Sequence, residues 1–331
     1  MTLLVLGATL STFGNALAVN DATTLIGDSS QNLRAGGSLM MRELMQAGRG
    51  IPTGGIPIPS GALATAIKRP GPPGTNYTFG DPSVMTVLAP VVPGPGLGPT
   101  VLGVPTDIVT LLLVDKSLAL DKTPAGDPVF CTVAADGSSI IADPTIVINA
   151  PDTGIVAGDL ILITNNIGSA VQTVTSISGQ TINFAPGDWF NLNQTAAPQG
   201  TILQLQNPAG TYPPTKAERI LMLTYYVDNT TTPGRPRLTR QVDHNDAQHP
   251  SQALAGVVES LTATYDIFDG ATNPTNVPTP TLPNTPQQIR KINLSVGVRS
   301  ELPSMQLRRF IRSRVNTQIS FRNLSFVDRY R

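Results

Sequence analysis

Hydrophobic residues dominate the first part of the chain, and their spacing predicts a helix over residues 1–47. Residues 1–20 carry no charged side chain and are barely long and apolar enough to enter a membrane. Their apolar residues are Leu3, Leu4, Val5, Leu6, Leu10, Phe13, Leu17 and Val19. Residues 21–47 are amphipathic. Four apolar residues there recur at intervals of seven, seven and four, which places them on one helix face: Ile26, Leu33, Met40 and Leu44. We expect this face to pack on the β-rich head formed by residues 48–331.

The rest of the chain, residues 48–331, alternates between Gly/Pro-rich stretches and strand-like runs. Residues 51–105 predict an irregular segment, after which residues 107–114 predict a buried strand. Residues 292–298 and 315–321 alternate apolar and polar positions, as half-buried strands do. Residues 150–206 predict a small inserted β-barrel or meander. We expect an α+β fold, with a long N-terminal helix packed on an antiparallel β-sheet head.

Composition narrows the class of protein. The 331 residues contain 22 basic and 22 acidic side chains, and charged residues make up 13%, too few for a coiled coil or a charge-driven disordered chain. The only cysteine, Cys131, cannot form an internal disulfide framework.

The charge is unevenly distributed along the chain. Residues 107–188 hold nine acidic and two basic side chains, whereas residues 288–331 hold ten basic and two acidic ones. The acidic middle and the basic tail can attract each other or partner subunits, and we predict a subunit contact through Arg312, Arg314 and Arg322. The basic residues alternate with apolar ones along a strand, which favours a solvated sheet face, and a nucleic-acid site stays open as the alternative.

One segment invites a chemical interpretation. Residues 243–249 read DHNDAQH and place His244 and His249 beside Asp243 and Asp246. The chain has only these two histidines, and no Glu lies between them, so the spacing does not match a zinc-protease motif. We therefore predict no catalytic residue, no metal and no cofactor. A secreted hydrolase that depends on His244 stays as an alternative.

Four places in the chain together resemble one known family. They are residues 31–34 with 39–48, where RELMQAG is similar to the end of the family's helix; residues 106–111, similar to its first strand; residues 223–229 with 237–242, similar to its hairpin; and residues 292–300 with 314–323, similar to its last strand pair. The family is that of the PilW-like minor pilins of type IV pili, and a more distant resemblance is to the J-type minor pseudopilins of type II secretion.

The resemblance implies a structural subunit without enzymatic activity. Before assembly, residues 1–20 would lie in the inner membrane and the head would be periplasmic. In the assembled pilus or secretion filament at the cell surface, residues 1–20 would lie in the filament core and the subunit would sit at or near the tip. Its partners would be other major and minor pilins or pseudopilins and the assembly machinery.

The family's basic leader and Gly-Phe-Thr-Leu-x-Glu processing motif do not match this sequence, so we expect that the natural chain begins upstream of Met1. A secreted β-rich binding protein or adhesin is the competing interpretation, because Ala16-Leu17-Ala18 imitates a signal-peptide cleavage site.

Overall fold

A single long helix begins the chain. In the computed structural model, which describes residues 2–150, 154–244, 246–304 and 308–325, helix α1 spans Thr2–Leu44. Its last turns bury Leu33, Met40 and Leu44 in the main hydrophobic cluster, against side chains of the large sheet. The pattern then ends in turns around Gly48 and Gly50, whose positive φ angles suit glycine.

The remaining described residues form strands joined by long turns. The strands are β1 (Ile56–Pro57), β2 (Lys68–Arg69), β3 (Tyr77–Thr78), β4 (Val87–Leu88), β5 (Val91–Val92), β6 (Thr100–Val101), β7 (Val104–Pro105), β8 (Val109–Val114), β9 (Thr132–Val133), β10 (Ser139–Ile141), β11 (Leu160–Thr164), β12 (Ser169–Thr173), β13 (Ser176–Ser178), β14 (Thr181–Asn183), β15 (Lys216–Asp228), β16 (Arg237–Val242), β17 (Gln252–Ile267), β18 (Ile289–Arg299) and β19 (Arg312–Ser320). Short 3₁₀ turns at Ile202–Leu205 and Pro286–Gln288 and a final helical turn, α2 (Arg322–Ser325), complete the set.

An antiparallel sheet of nine strands organises the molecule. Its main path runs β12-β11-β15-β16-β17-β18-β19, and β8 pairs with both β15 and β5. Strand β15 is the centre of this arrangement, because β11 and β8 pair with successive parts of it and β16 pairs with its last residues.

Strand β8 is buried on both faces, which explains its continuous apolar run. Leu111 and Leu113 pack in the same cluster as the end of α1, whereas Leu112 and Val114 pack under the Gly/Pro-rich segment that precedes the strand. That segment therefore covers one face of the sheet, and α1 covers part of the other.

The described part of residues 150–206, where we expect a small inserted β-barrel or meander, contributes strands to two sheets. Strands β11 and β12 belong to the nine-stranded sheet, whereas β13 and β14 join β10 and β9 in a second sheet of order β13-β14-β10-β9. One hydrophobic cluster holds the two sheets together, with Ile161 and Ile163 of β11 packed alongside Ile140 and Ile182. The segment is divided between sheets because it supplies apolar side chains to both.

The expected fold class is wrong. The molecule is mostly β, with 34% of residues in strands and about 14% in helix, so it is not an α+β protein with a long helix packed on a sheet. The physical reason is that α1 buries side chains on the sheet only from Leu33 onward, and the described apolar residues of its first part are exposed. Among the helices described, none has a stretch apolar enough to span a bilayer.

Candidate functional site

The first part of α1 presents an uncovered apolar stripe, which we call the helix seam. Leu6, Leu10, Phe13 and Leu17 are 58%, 63%, 64% and 44% exposed. Their intervals of four, three and four residues keep them on one side of a helix, in the spacing by which helices pack lengthwise on one another. Val19 is also exposed, and the side chains of Leu3, Leu4 and Val5 lie outside the described residues.

Of the four residues predicted to form the helix face on the head, the first differs from the other three in burial. Leu33, Met40 and Leu44 are buried on the sheet, but Ile26 is 42% exposed. Apolar burial of α1 on the sheet is therefore seen from Leu33 onward, although Ser304 already donates to Asp21 Oδ2 at 2.7 Å.

Charged and polar groups fix the end of α1 to the head. Arg240 of β16 donates to Glu43 through Nη2 at 2.8 Å and through Nε at 2.9 Å, and both side chains are largely buried. The Tyr225 hydroxyl of β15 donates to the same carboxylate. Burial, with the Glu43 charge beside it, raises the pKa of Tyr225, so the phenol stays a donor.

Segments that carry the resemblance meet at this point. Glu43 lies in the RELMQAG segment, whereas Tyr225 and Arg240 lie on the two strands of the hairpin. From the C-terminal segment, Asn323 donates through Nδ2 to the carbonyls of Gln46 and Ala47, at 3.2 and 3.3 Å. The helix end is thus held by two segments that lie far from it in sequence, the hairpin and the C-terminal segment.

The three arginines predicted to contact a subunit lie in different environments. Arg312 of β19 donates through Nε to Glu259 of β17 at 2.6 Å. Arg314 projects from the exposed face of β19, and Arg322 lies exposed in α2.

A second group of chemically active side chains lies at the opposite end of β16 from its hairpin turn. We call it the His–Asp cluster: Asp159, Asp243, His244, Asp246 and His249. His249 Nε2 lies 2.9 Å from Asp159 Oδ1 and 3.9 Å from Asp243 Oδ2, and its Nδ1 lies 3.1 Å from Asp246 Oδ1. His244 Nε2 lies 2.9 Å from Asp246 Oδ2. Ligand atoms of Asp159, Asp243 and His249 lie within 4.8 Å of one another, as do those of His244, Asp246 and His249.

Backbone groups and neighbouring side chains set the orientation of the cluster. Asp243 follows β16 and accepts a hydrogen bond from the Met222 amide through Oδ1. Asp159 precedes β11 and accepts one from the Val156 amide, and Arg219, itself bound to Asp115 at 2.6 Å, reaches Asp159 at 3.5 Å. The ring of His244 stacks on Trp189 with centroids 5.1 Å apart.

Electrostatics in the cluster depart from those of exposed groups. Burial, reinforced by the Asp159 charge, raises the pKa of Asp243 to about 7. Burial opposes protonation of His249, but Asp159, Asp243 and Asp246 outweigh it and raise the pKa of His249 to about 9. Burial lowers the pKa of His244. The two imidazoles therefore differ sharply although they are five residues apart.

Sequence reasoning identified four members of the cluster and missed Asp159. This residue lies 90 positions before His249, in a Gly-Asp turn that looks like any other turn of the chain. Strand β15 brings the two parts together, because β11 and β16 pair with it from different regions of the sequence.

Comparison of the chain with models of protein families, with curated proteins and with solved structures gives no match.

Proposed function

We propose that this protein is a structural subunit, a minor pilin or pseudopilin, of a type IV pilus or a related secretion filament. In this proposal the helix seam packs against the corresponding helices of neighbouring subunits, and the β-rich head faces outward at the filament surface, at or near the tip. No enzymatic step is part of the proposal.

The exposed helix seam is the observation that carries this proposal. Four large apolar side chains on one face of α1 have no cover from the head, and no charged residue precedes Asp21. Burying each such side chain is worth about 1.5 to 3 kcal/mol, which is a strong drive toward a partner that is apolar along the same length. Helices with a matching stripe are such a partner.

The attachment of α1 to the head supports the same reading. Glu43, Arg240 and Tyr225 hold the last turns of the helix, so that the seam extends from a fixed point on the sheet. A subunit built in this way can insert its helix among others while the head keeps its fold.

The test is incorporation of the full chain into filaments sheared from cells that produce it. We expect Leu10→Asp and Phe13→Asp to reduce the amount of subunit in the filament fraction by at least about tenfold, because each places a charge in the apolar contact. Asn15→Asp is the matched control, since Asn15 is exposed on the opposite side of the same helix.

Immunoblots of the filament fraction and of whole cells give the readout. Normal incorporation of both seam variants, or absence of the unchanged protein from filaments, would contradict the proposal. Equal loss in the Asn15→Asp control would show that a charge anywhere on α1 is harmful, and the seam would then have no special role.

A further inference from the structure

The His–Asp cluster holds an arrangement of donor atoms that protons alone leave incomplete. A neutral imidazole has one N–H, and His249 has Nδ1 directed at the Asp246 carboxylate. Its Nε2 then faces two carboxylate oxygens, of Asp159 and Asp243. A lone pair pointing at these oxygens is repulsive, so either a proton on Nε2 or a metal ion has to lie among them.

A proton on His249 Nε2 would satisfy only part of this arrangement. It accounts for the contact with Asp159 at 2.9 Å, but Asp243 Oδ2, at 3.9 Å, is beyond hydrogen-bond distance. Asp243 is fully buried, and its Oδ2 has no hydrogen-bond partner among the described residues, although Oδ1 is anchored to the backbone. A buried carboxylate oxygen without a partner costs free energy, so an aimed and unpartnered Oδ2 points to a bound cation.

We propose that Asp159, Asp243 and His249 bind one divalent transition-metal ion of the zinc class, through Oδ1, Oδ2 and Nε2 respectively. This inference is independent of the role of α1 in a filament.

Spacing supports a shared ion. In a tetrahedral zinc site with metal–ligand distances of 2.0 to 2.2 Å, neighbouring ligand atoms lie about 3.3 to 3.6 Å apart. The distances of 2.9 and 3.9 Å from His249 Nε2 to the two carboxylates bracket that value. An imidazole with two carboxylates suits zinc or manganese, whereas calcium prefers six to eight oxygen ligands.

Asp246 occupies the position of a supporting carboxylate. Metal-bound histidines commonly donate their other N–H to a carboxylate, which fixes the tautomer and the ring orientation. Asp246 Oδ1 lies 3.1 Å from His249 Nδ1, and Asp246 also receives two backbone hydrogen bonds, from Gln248 and His249. The free nitrogen of His249 is thereby turned toward Asp159 and Asp243.

Gly158 keeps space open beside the imidazoles. A Cβ at this position would lie 2.8 Å from His244 Cε1 and 3.2 Å from His249 Cε1, and the residue has a φ of 96°. Any larger side chain would therefore crowd both rings. A bound ion would join the turn before β11 to the loop between β16 and β17, and so has a structural role.

The experiment treats the full chain with a chelator, removes the chelator, and then titrates the protein with Zn²⁺ in an isothermal titration calorimeter. We expect one equivalent to bind, and Asp243→Asn and His249→Gln each to weaken binding by at least about 100-fold. Asp246→Asn should weaken it by about 10- to 100-fold, as for other supporting residues of metal sites. Asp107→Asn is the matched control, because Asp107 is also buried and accepts two backbone hydrogen bonds, from Gly96 and Ala263, away from the cluster.

A second readout uses Co²⁺ and the only tryptophan of the chain. Trp189 stacks on His244, so Co²⁺ bound in the cluster should quench the fluorescence of Trp189. The bound Co²⁺ should also give a visible absorption band. Circular dichroism establishes whether each variant is folded, and the unchanged protein tests the proposal whatever the variants do.

Three outcomes would overturn the proposal. They are no Zn²⁺ binding by the unchanged protein, tighter binding of Ca²⁺ than of Zn²⁺, or Zn²⁺ binding by the folded Asp243→Asn and His249→Gln variants that is as tight as that of the unchanged protein.

The His244→Gln variant distinguishes the two overlapping groups of ligands. We expect it to retain binding within about tenfold; loss of binding in this variant but not in Asp243→Asn would place the ion among His244, Asp246 and His249 instead.

Discussion

Glu43 anchors the end of α1 to the sheet through an ion pair. Its carboxylate receives Arg240 in a two-point contact and the Tyr225 hydroxyl, in a largely buried setting. We expect Glu43→Gln to lower the free energy of unfolding by about 3 kcal/mol, because Arg240 would lose its counter-charge while staying buried. Urea denaturation followed by circular dichroism measures the change.

A second ion pair supplies the control for this substitution. Lys116 and Glu218 lie 3.4 Å apart, with the Lys116 side chain 59% exposed. Glu218→Gln should change stability by less than about 1 kcal/mol, since water screens the pair. Equal effects of the two substitutions would show that burial of the Glu43 contact contributes nothing.

Only some of these side-chain contacts can be predicted from the sequence. DHNDAQH marked four cluster residues by proximity, but Asp159 could not be found, because only pairing of β11 and β16 with β15 brings it near. The same holds for Glu43 and Arg240, which are 197 positions apart. Contacts across sheets depend on strand order, which local patterns do not encode.

At the scale of elements, α1 and β17 approach so closely that a single methyl group matters. A Cβ on Gly36 would lie 2.5 Å from the Leu254 carbonyl oxygen, whereas a Cβ on Gly37 would meet nothing within 4 Å. We expect Gly36→Ala to destabilise the protein by about 1 to 3 kcal/mol, because the strand backbone cannot move aside. Gly37→Ala should stabilise it by up to about 1 kcal/mol through helix propensity.

The two alanine variants control each other, since both remove a glycine from the same helix. Thermal unfolding should therefore give melting temperatures that move in opposite directions. A rise for both variants would mean that the contact between α1 and β17 yields easily, and that the end of the helix is less firmly packed than its burial indicates.

Elements with strict periodicity were the most predictable. The alternation over residues 292–298 matches β18, in which Ile292, Leu294, Val296 and Val298 are buried. The alternation over 315–321 was less informative, because β19 is an edge strand and Val315 is 44% exposed. Periodicity gives the two faces of a strand, but the cover on each face comes from other elements.

At the scale of the whole molecule, the balanced charge hides local compensation. Glu259 receives both Arg299, at 3.0 Å, and Arg312, at 2.6 Å, so part of the basic C-terminal segment is neutralised within the head. The acidic middle is likewise used internally, as Asp115 and Asp159 around Arg219 show. Only charges left after such pairing can act between subunits.

This compensation sharpens the prediction for subunit association. Replacing Arg312, Arg314 and Arg322 together by Gln should weaken association by roughly tenfold at about 0.01 M salt and have little effect at about 1 M, where charges are screened beyond about 3 Å. As single substitutions, Arg314→Gln should weaken association at low salt more than Arg312→Gln, because Arg312 is already paired with Glu259 on the same sheet face.

Sedimentation velocity of the full chain at the two salt concentrations measures this association. The control replaces three exposed cations outside the C-terminal segment by Gln, namely Lys116, Lys122 and Arg235. Equal weakening by both triple variants would indicate a general effect of net charge, and unchanged association of the first would remove the basic face of β19 from any subunit contact. Since the helix seam is apolar, association that survives in about 1 M salt and is lost in Phe13→Asp would instead place the contact on α1.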